Sequence, residues 1–127
     1  HQAAYLCKSR GMETGMFLMW GYDGEQVEDV EATVGLVKQC RPDVFLTPLS
    51  YPLKGTPYFA KVADRVVPAG EWRETTDREA CIRGRHSRNF YRHADDLLRG
   101  EMAAVPDAAH IDSARRNLTL TAAEVEA

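Results

Sequence analysis

The sequence predicts an α/β fold, built from βα units and closed by a helical C-terminal extension. Three observations carry that expectation. A run of five apolar residues, Met16 to Trp20, ends in a glycine-rich turn and leads straight into a helix-like pattern. A second short apolar segment, Val44 to Ser50, follows that pattern. Beyond about residue 76 the pattern is mainly helical, with apolar residues recurring at helical spacing.

The chain has 127 residues, which suits a single domain-sized unit with a real core. Hydrophobic residues make up 44% and charged residues 28%, an ordinary globular composition. The net charge of −3 argues against a general nucleic-acid or acidic-membrane binder. No apolar run approaches the roughly 18 residues of a bilayer span, and no leader peptide is visible. Cys7, Cys40 and Cys81 are odd in number and widely spaced, with no metal-ligand spacing. They read as reduced thiols, which points to a cytoplasmic protein.

Taken in order, residues 2–10 predict a helix with Gly11 just past its end. Residues 16–21 predict a strand, and because its apolar run shows no alternation, a strand covered on both faces. Gly21 and Gly24 let the backbone turn, and Asp23 is placed to cap a helix over 25–40, with Gln26 as a partial capping box. Val27, Val30, Val34 and Val37 form the apolar stripe of that helix. Arg41-Pro42-Asp43 stops it. The second strand contains Pro48, which predicts an edge position or a bulge. Strand, helix, strand over about 35 residues is a βαβ unit, with parallel strands. Thr56 and Pro57 then predict the cap and first residue of a short helix to about Ala63.

Residues 64–75 look irregular, with Val66-Val67 as one short strand. Trp72 reads either as a packing anchor or as a ligand-stacking ring. Thr76-Asp77-Arg78-Glu79 is a capping box, predicting a helix over 77–98. Its buried stripe would be Cys81, Gly84, Ser87, Tyr91, Ala94 and Leu98. Arg78, Arg85, Arg92 and Arg99 repeat every seven residues and would share the opposite face. That face is either solvated and ion-paired, or a surface for phosphate, RNA or an acidic partner. Residues 107–117 predict a last helix, with Ile111, Ala114 and Leu118 apolar. His86, His93 and His110 lack the spacing of a helical metal pair and read as surface or hydrogen-bonded residues.

The run Gly15-Met-Phe-Leu-Met-Trp-Gly-Tyr-Asp-Gly-Glu25, the segment Asp29-Val-Glu-Ala-Thr33, the strand Pro42-Asp-Val-Phe-Leu46 and the turn Tyr51-Pro-Leu-Lys-Gly-Thr-Pro57 occur in that order. Together they resemble the C-terminal half of the barrel in radical S-adenosylmethionine (SAM) enzymes, most of all the subgroup with an upstream cobalamin-binding domain. The likeness spans about residues 1–65. It implies that 1–65 is the C-terminal part of a partial (β/α) barrel and 66–127 a helical extension. Asp23 stands where the family has proline in the first turn. The Cys-x3-Cys-x2-Cys motif that holds the family's [4Fe–4S] cluster is absent from this chain.

The resemblance therefore implies a piece of a longer enzyme that is not competent alone. In the parent, a reduced [4Fe–4S] cluster cleaves SAM to a 5′-deoxyadenosyl radical that abstracts hydrogen; cobalamin-dependent methyl transfer belongs to the subgroup. Carried over residue by residue, the likeness places Met19 and Gly21 near the adenosyl group, Glu25 at the end of the glycine-rich motif, and Ser50 and Tyr51 at the same mouth. Glu25 reads equally as a first-turn carboxylate of the following helix. No residue is expected to act as a proton-transfer catalyst or to ligate a metal. The expected partners are the upstream barrel half and a cobalamin domain of the same protein, with no membrane and no nucleic acid. The uncovered sheet of such a piece predicts self-association. The rival expectation is a non-catalytic interaction module, using the arginine face of the 77–98 helix.

Overall fold

The computed structural model of the chain describes residues 2–68, 70 and 79–127. Within them the βαβ unit forms as the apolar pattern requires. Strand β1 (Gly15–Phe17) pairs in parallel with β2 (Val44–Leu46), Met16 lying opposite Phe45. Helix α2 (Val27–Cys40) is the crossover between them. Pairing resumes past the strands at a Trp20–Leu49 bridge, where Trp20 N–H donates to the Pro48 carbonyl at 3.1 Å. Pro48 itself has no N–H to give, and it falls in the gap between strand and bridge. Among the described residues β2 pairs with β1 alone, the edge setting that proline favours.

Two details of this unit differ from expectation. The strands are covered on one face only. Val44, Phe17 and Leu46 are 65%, 70% and 63% exposed, while Met16, Leu18 and Phe45 pack on the core. An unbroken apolar run is also what a half-covered strand shows when its outer face awaits a partner. The α2 cap lies three residues later than Asp23. Gln26 occupies the N-cap, and the Asp29 carboxylate accepts from its backbone N–H at 2.8 Å. Asp23 instead binds Lys61 and Arg65, each at 2.9 Å. The turn between has to bend too sharply for a helix to start there, with φ at Gly21 and Gly24 of 80° and 86°.

Helix α3 (Pro57–Val62) starts as predicted, Thr56 Oγ1 accepting from Phe59 N–H at 3.1 Å and proline in the first turn. Its last turn passes into a 3₁₀ turn, Ala63–Arg65. Strand β3 (Val66–Val67) does form, and pairs antiparallel with β4 (Cys81–Ile82). That pairing overturns the helix predicted over 77–98. Gly84 takes a φ of 82°, which no right-handed helix admits, and helix α4 spans Arg88–Met102 with Ser87 as its cap. The Thr76–Arg78 part of the predicted capping box, and Trp72, lie outside the described residues. Once the helix begins, the predicted stripe holds: Tyr91, Ala94 and Leu98 are buried, with Phe90 and Leu97 beside them. Cys81, Gly84 and Ser87 are not part of it.

Helix α5 (Ala108–Thr121) is capped by Asp107 and buries Ile111, Ala114 and Leu118. It lies against α4, close enough at Gly100 that an added Cβ would stand 3.1 Å from Ile111. The core joins Val30, Val34 and Val37 of α2 to these two helices and to Trp20. It thus draws on both 1–65 and 66–127. Around its rim, Arg115 pairs with Glu31 of α2 at 2.7 Å and Glu101 of α4 at 2.9 Å, and Glu101 also takes Lys38 at 2.6 Å. Helix α1 (Gln2–Ser9) buries no residue. No helix among the described residues is long and apolar enough to cross a membrane.

Candidate functional site

Parallel strands of an α/β unit present ligands at their carboxyl ends. Here those ends carry two separate features. On the open side of the sheet lies a groove of about 620 Å³, lined by Phe17, Met19, Leu46, Thr47, Pro48, Leu49, Tyr51 and Leu53. It is apolar because successive strand residues point to opposite faces, and the residues facing away from α2 and α4 are large and hydrophobic. Met19, 54% exposed, and Tyr51 share this groove.

Gly21, Glu25 and Ser50 lie elsewhere, tied to one another. The Gly21 N–H donates to Glu25 Oε2 at 2.6 Å. Ser50 donates its hydroxyl to the Gly21 carbonyl and its N–H to the Trp20 carbonyl. A side chain at position 21 would meet Leu49 at 2.6 Å, so backbone and packing both require glycine there. Of the five predicted site residues, the structure therefore brings together two at the groove and three in the turn behind it.

Glu25 sits before the first turn of α2 and is 2% exposed. Burial pushes its carboxyl up to about 7, against the pull of the Gly21 hydrogen bond; Asp29 adds to the rise and Arg85 opposes it. A carboxylate in the exposed first turn of a helix is held below its ordinary value instead. A cavity of about 90 Å³ opens on this residue, lined also by Tyr58, Arg65, Arg85, His86 and Tyr91.

Sequence reasoning missed the far wall of that cavity. Arg85, expected on an exposed arginine face, is buried, with Nη2 3.0 Å from Glu126 and Nη1 donating to the Ser50 carbonyl at 2.7 Å. Arg78 lies outside the described residues, leaving Arg92 and Arg99 exposed on α4. The heptad surface is thus broken, and Arg99 is paired with Asp95 at 2.7 Å. The polar tail supplies Glu126, whose Oε2 also accepts from Ile82 N–H at 2.7 Å. His86 Nε2 lies 2.9 Å from the Glu25 carbonyl oxygen, and its ring stacks on Phe90 with centroids 4.1 Å apart. Burial lifts the Tyr91 hydroxyl well above the usual phenol range. No local motif announces these residues, because each reaches the site through tertiary contacts.

Cys7, Cys40 and Cys81 stand on three different elements, and no cluster of three or more His, Cys, Asp or Glu able to hold a metal occurs among the described residues. A [4Fe–4S] cluster does not fit the residues present. The groove has an apolar floor with Tyr51 among its lining residues, the kind of surface on which a flat ring can lie. No protein-family model, curated protein or solved structure matches the chain.

Proposed function

We propose that this chain is the C-terminal part of a radical SAM barrel, supplying one wall of the cofactor pocket to an enzyme whose cluster ligands lie elsewhere in the same protein. The carrying observation is the half-covered parallel βαβ unit, with an apolar groove holding Met19 and Tyr51 at the strand ends. A parallel sheet ordinarily has both faces covered. A barrel provides that cover, placing Phe17, Met19 and Leu46 toward its interior and α2 outside. Beside a reduced cluster held elsewhere in the protein, SAM would supply radical chemistry at an unactivated carbon.

This chain's residues bind and shape rather than react. Met19 and Tyr51 contact the adenosyl group and keep water from it, which the apolar lining favours. Gly21, Glu25 and Ser50 fix the turn that sets the position of Met19. A cobalamin domain of the same protein would be an upstream partner.

The test is SAM binding by the longer protein that contains this chain, measured by calorimetry alongside the visible absorption of an iron–sulfur cluster. Met19→Asp should weaken SAM binding about tenfold, the effect of losing roughly 1.4 kcal/mol of apolar contact, with cluster content unchanged. A parent that binds neither cluster nor SAM would end this reading.

A further inference from the structure

Arg85 stands where three parts of the chain meet. Its Nε and Nη2 donate to the Glu126 carboxylate at 3.2 and 3.1 Å, and its Nη1 donates to the Ser50 carbonyl at 2.7 Å. A Cβ added at Gly21 would lie 3.4 Å from the same Nη1, so the guanidinium also rests on the glycine turn. Ser50 is buried and is held from the other side as well. Its N–H donates to the Trp20 carbonyl at 2.7 Å and its hydroxyl to the Gly21 carbonyl. Leu49 and Tyr51, on either side of Ser50, line the groove. The peptide that carries the Ser50 carbonyl leads into Tyr51, so Arg85 fixes the wall of the groove from behind without lining it.

What keeps Arg85 in place is a lightly held segment. Residues 124–126 run antiparallel to 85–87 through the His86–Val125 bridge. Ser87 N–H donates to the Glu124 carbonyl at 2.9 Å, and Glu126 N–H to the Arg85 carbonyl at 2.7 Å. From 123 to 127 every residue but Glu126 is exposed. A segment with so little apolar burial opens at a fraction of the cost of unfolding the molecule. Opening takes the carboxylate away from a buried guanidinium, and an uncompensated buried charge is strongly unfavourable. The long arginine stem lets that charge turn out to water, which withdraws Nη1 from Ser50.

We propose that segment 124–126 is a switch on the groove and that Arg85 is its positioning residue. When the segment is docked, Glu126 holds Arg85 against the Ser50 carbonyl and so fixes Leu49 and Tyr51. When it is released, that wall loosens. The switch regulates the groove read above as the adenosyl site, and rests on that reading for the identity of the ligand alone. Linkage makes the coupling reciprocal: the factor by which docking tightens the ligand is the factor by which the ligand tightens docking.

The test uses the longer protein that contains this chain, with hydrogen exchange followed by mass spectrometry and SAM binding by calorimetry. Saturating SAM is expected to slow exchange over 122–127 about fivefold, although that segment does not line the groove. Replacing Arg85 and Glu126 together with methionine leaves no buried charge, so the fold is retained. In that double variant, exchange over 49–53 should quicken about tenfold with 30–37 unchanged, and SAM should bind about fivefold more weakly. A merely structural pair would move both stretches together and leave 122–127 indifferent to SAM. Unchanged exchange over 49–53 in the double variant would overturn the switch, as would SAM binding to the wild type with 122–127 unaffected. A parent that binds no SAM would end the adenosyl reading instead, and exchange over 49–53 would then decide the switch by itself.

Discussion

Glu25 is held in a position that its charge resists. The ordinary value of its carboxyl is 4.5, and folding raises it to about 7. The folded chain therefore keeps a proton that the unfolded chain has released across that window. The corresponding stability is fully present below about pH 4.5 and is lost as pH rises through about 7. Urea denaturation should show stability falling by about 1–3 kcal/mol between pH 5 and pH 8 from this group, and Glu25→Gln should flatten that slope. A slope of the opposite sign would show that the carboxylate is stabilised on folding. The sequence places Glu25 at a glycine turn, and that placement is right. Its burial was not legible, because Tyr91 and Arg85, 60 or more positions away, complete its surroundings.

The elements were legible where local pattern and tertiary packing agree. The valines of α2 and the stripe Tyr91–Ala94–Leu98 of α4 bury the faces their spacing assigns. The cap and proline of α3 form as the local chemistry demands. The reading failed over 79–87, where strand β4 has two residues, too short for any periodicity, and pairs with an equally short β3. There the fold is held by Arg85 and Glu126, through a bridge between His86 and Val125 that brings the tail across. Removing one member of a buried pair strands the other charge. Glu126→Ala is expected to cost about 3–5 kcal/mol, read from denaturant midpoints at pH 7. Replacing both Arg85 and Glu126 with methionine should recover most of that loss. A cost under about 0.5 kcal/mol for Glu126→Ala would place the pair among weak surface bridges.

At the scale of the whole molecule, one sheet face remains open. Phe17, Met19, Val44 and Leu46 form an apolar surface beside a strand edge with no partner among the described residues. Such surfaces associate in water. Sedimentation velocity should show a concentration-dependent dimer or larger species for the chain alone, and Phe17→Asp with Leu46→Asp should return it to monomer without loss of helix content. A wild-type chain that stays monomeric at high concentration would remove this expectation. The α/β class and the parallel pairing were readable from the sequence. The apolar run alone suggested cover on both faces, because such a run looks the same whether its outer face meets helices or solvent; the open face was expected only from the likeness to part of a barrel.

The link between Arg85 and Glu126 also sets a schedule. The two residues are 41 positions apart. At a synthesis rate of about 5–20 residues per second, roughly 2–8 seconds separate their appearance. Helices α4 and α5 can meet in that interval, but the turn around Glu25 waits, since its wall is fastened only when residue 126 arrives. A nascent chain arrested before that point should expose the Gly21–Glu25 segment to protease, and one extended past it should protect the segment. The segment around Glu126 thus acts as the latch on the turn around Glu25.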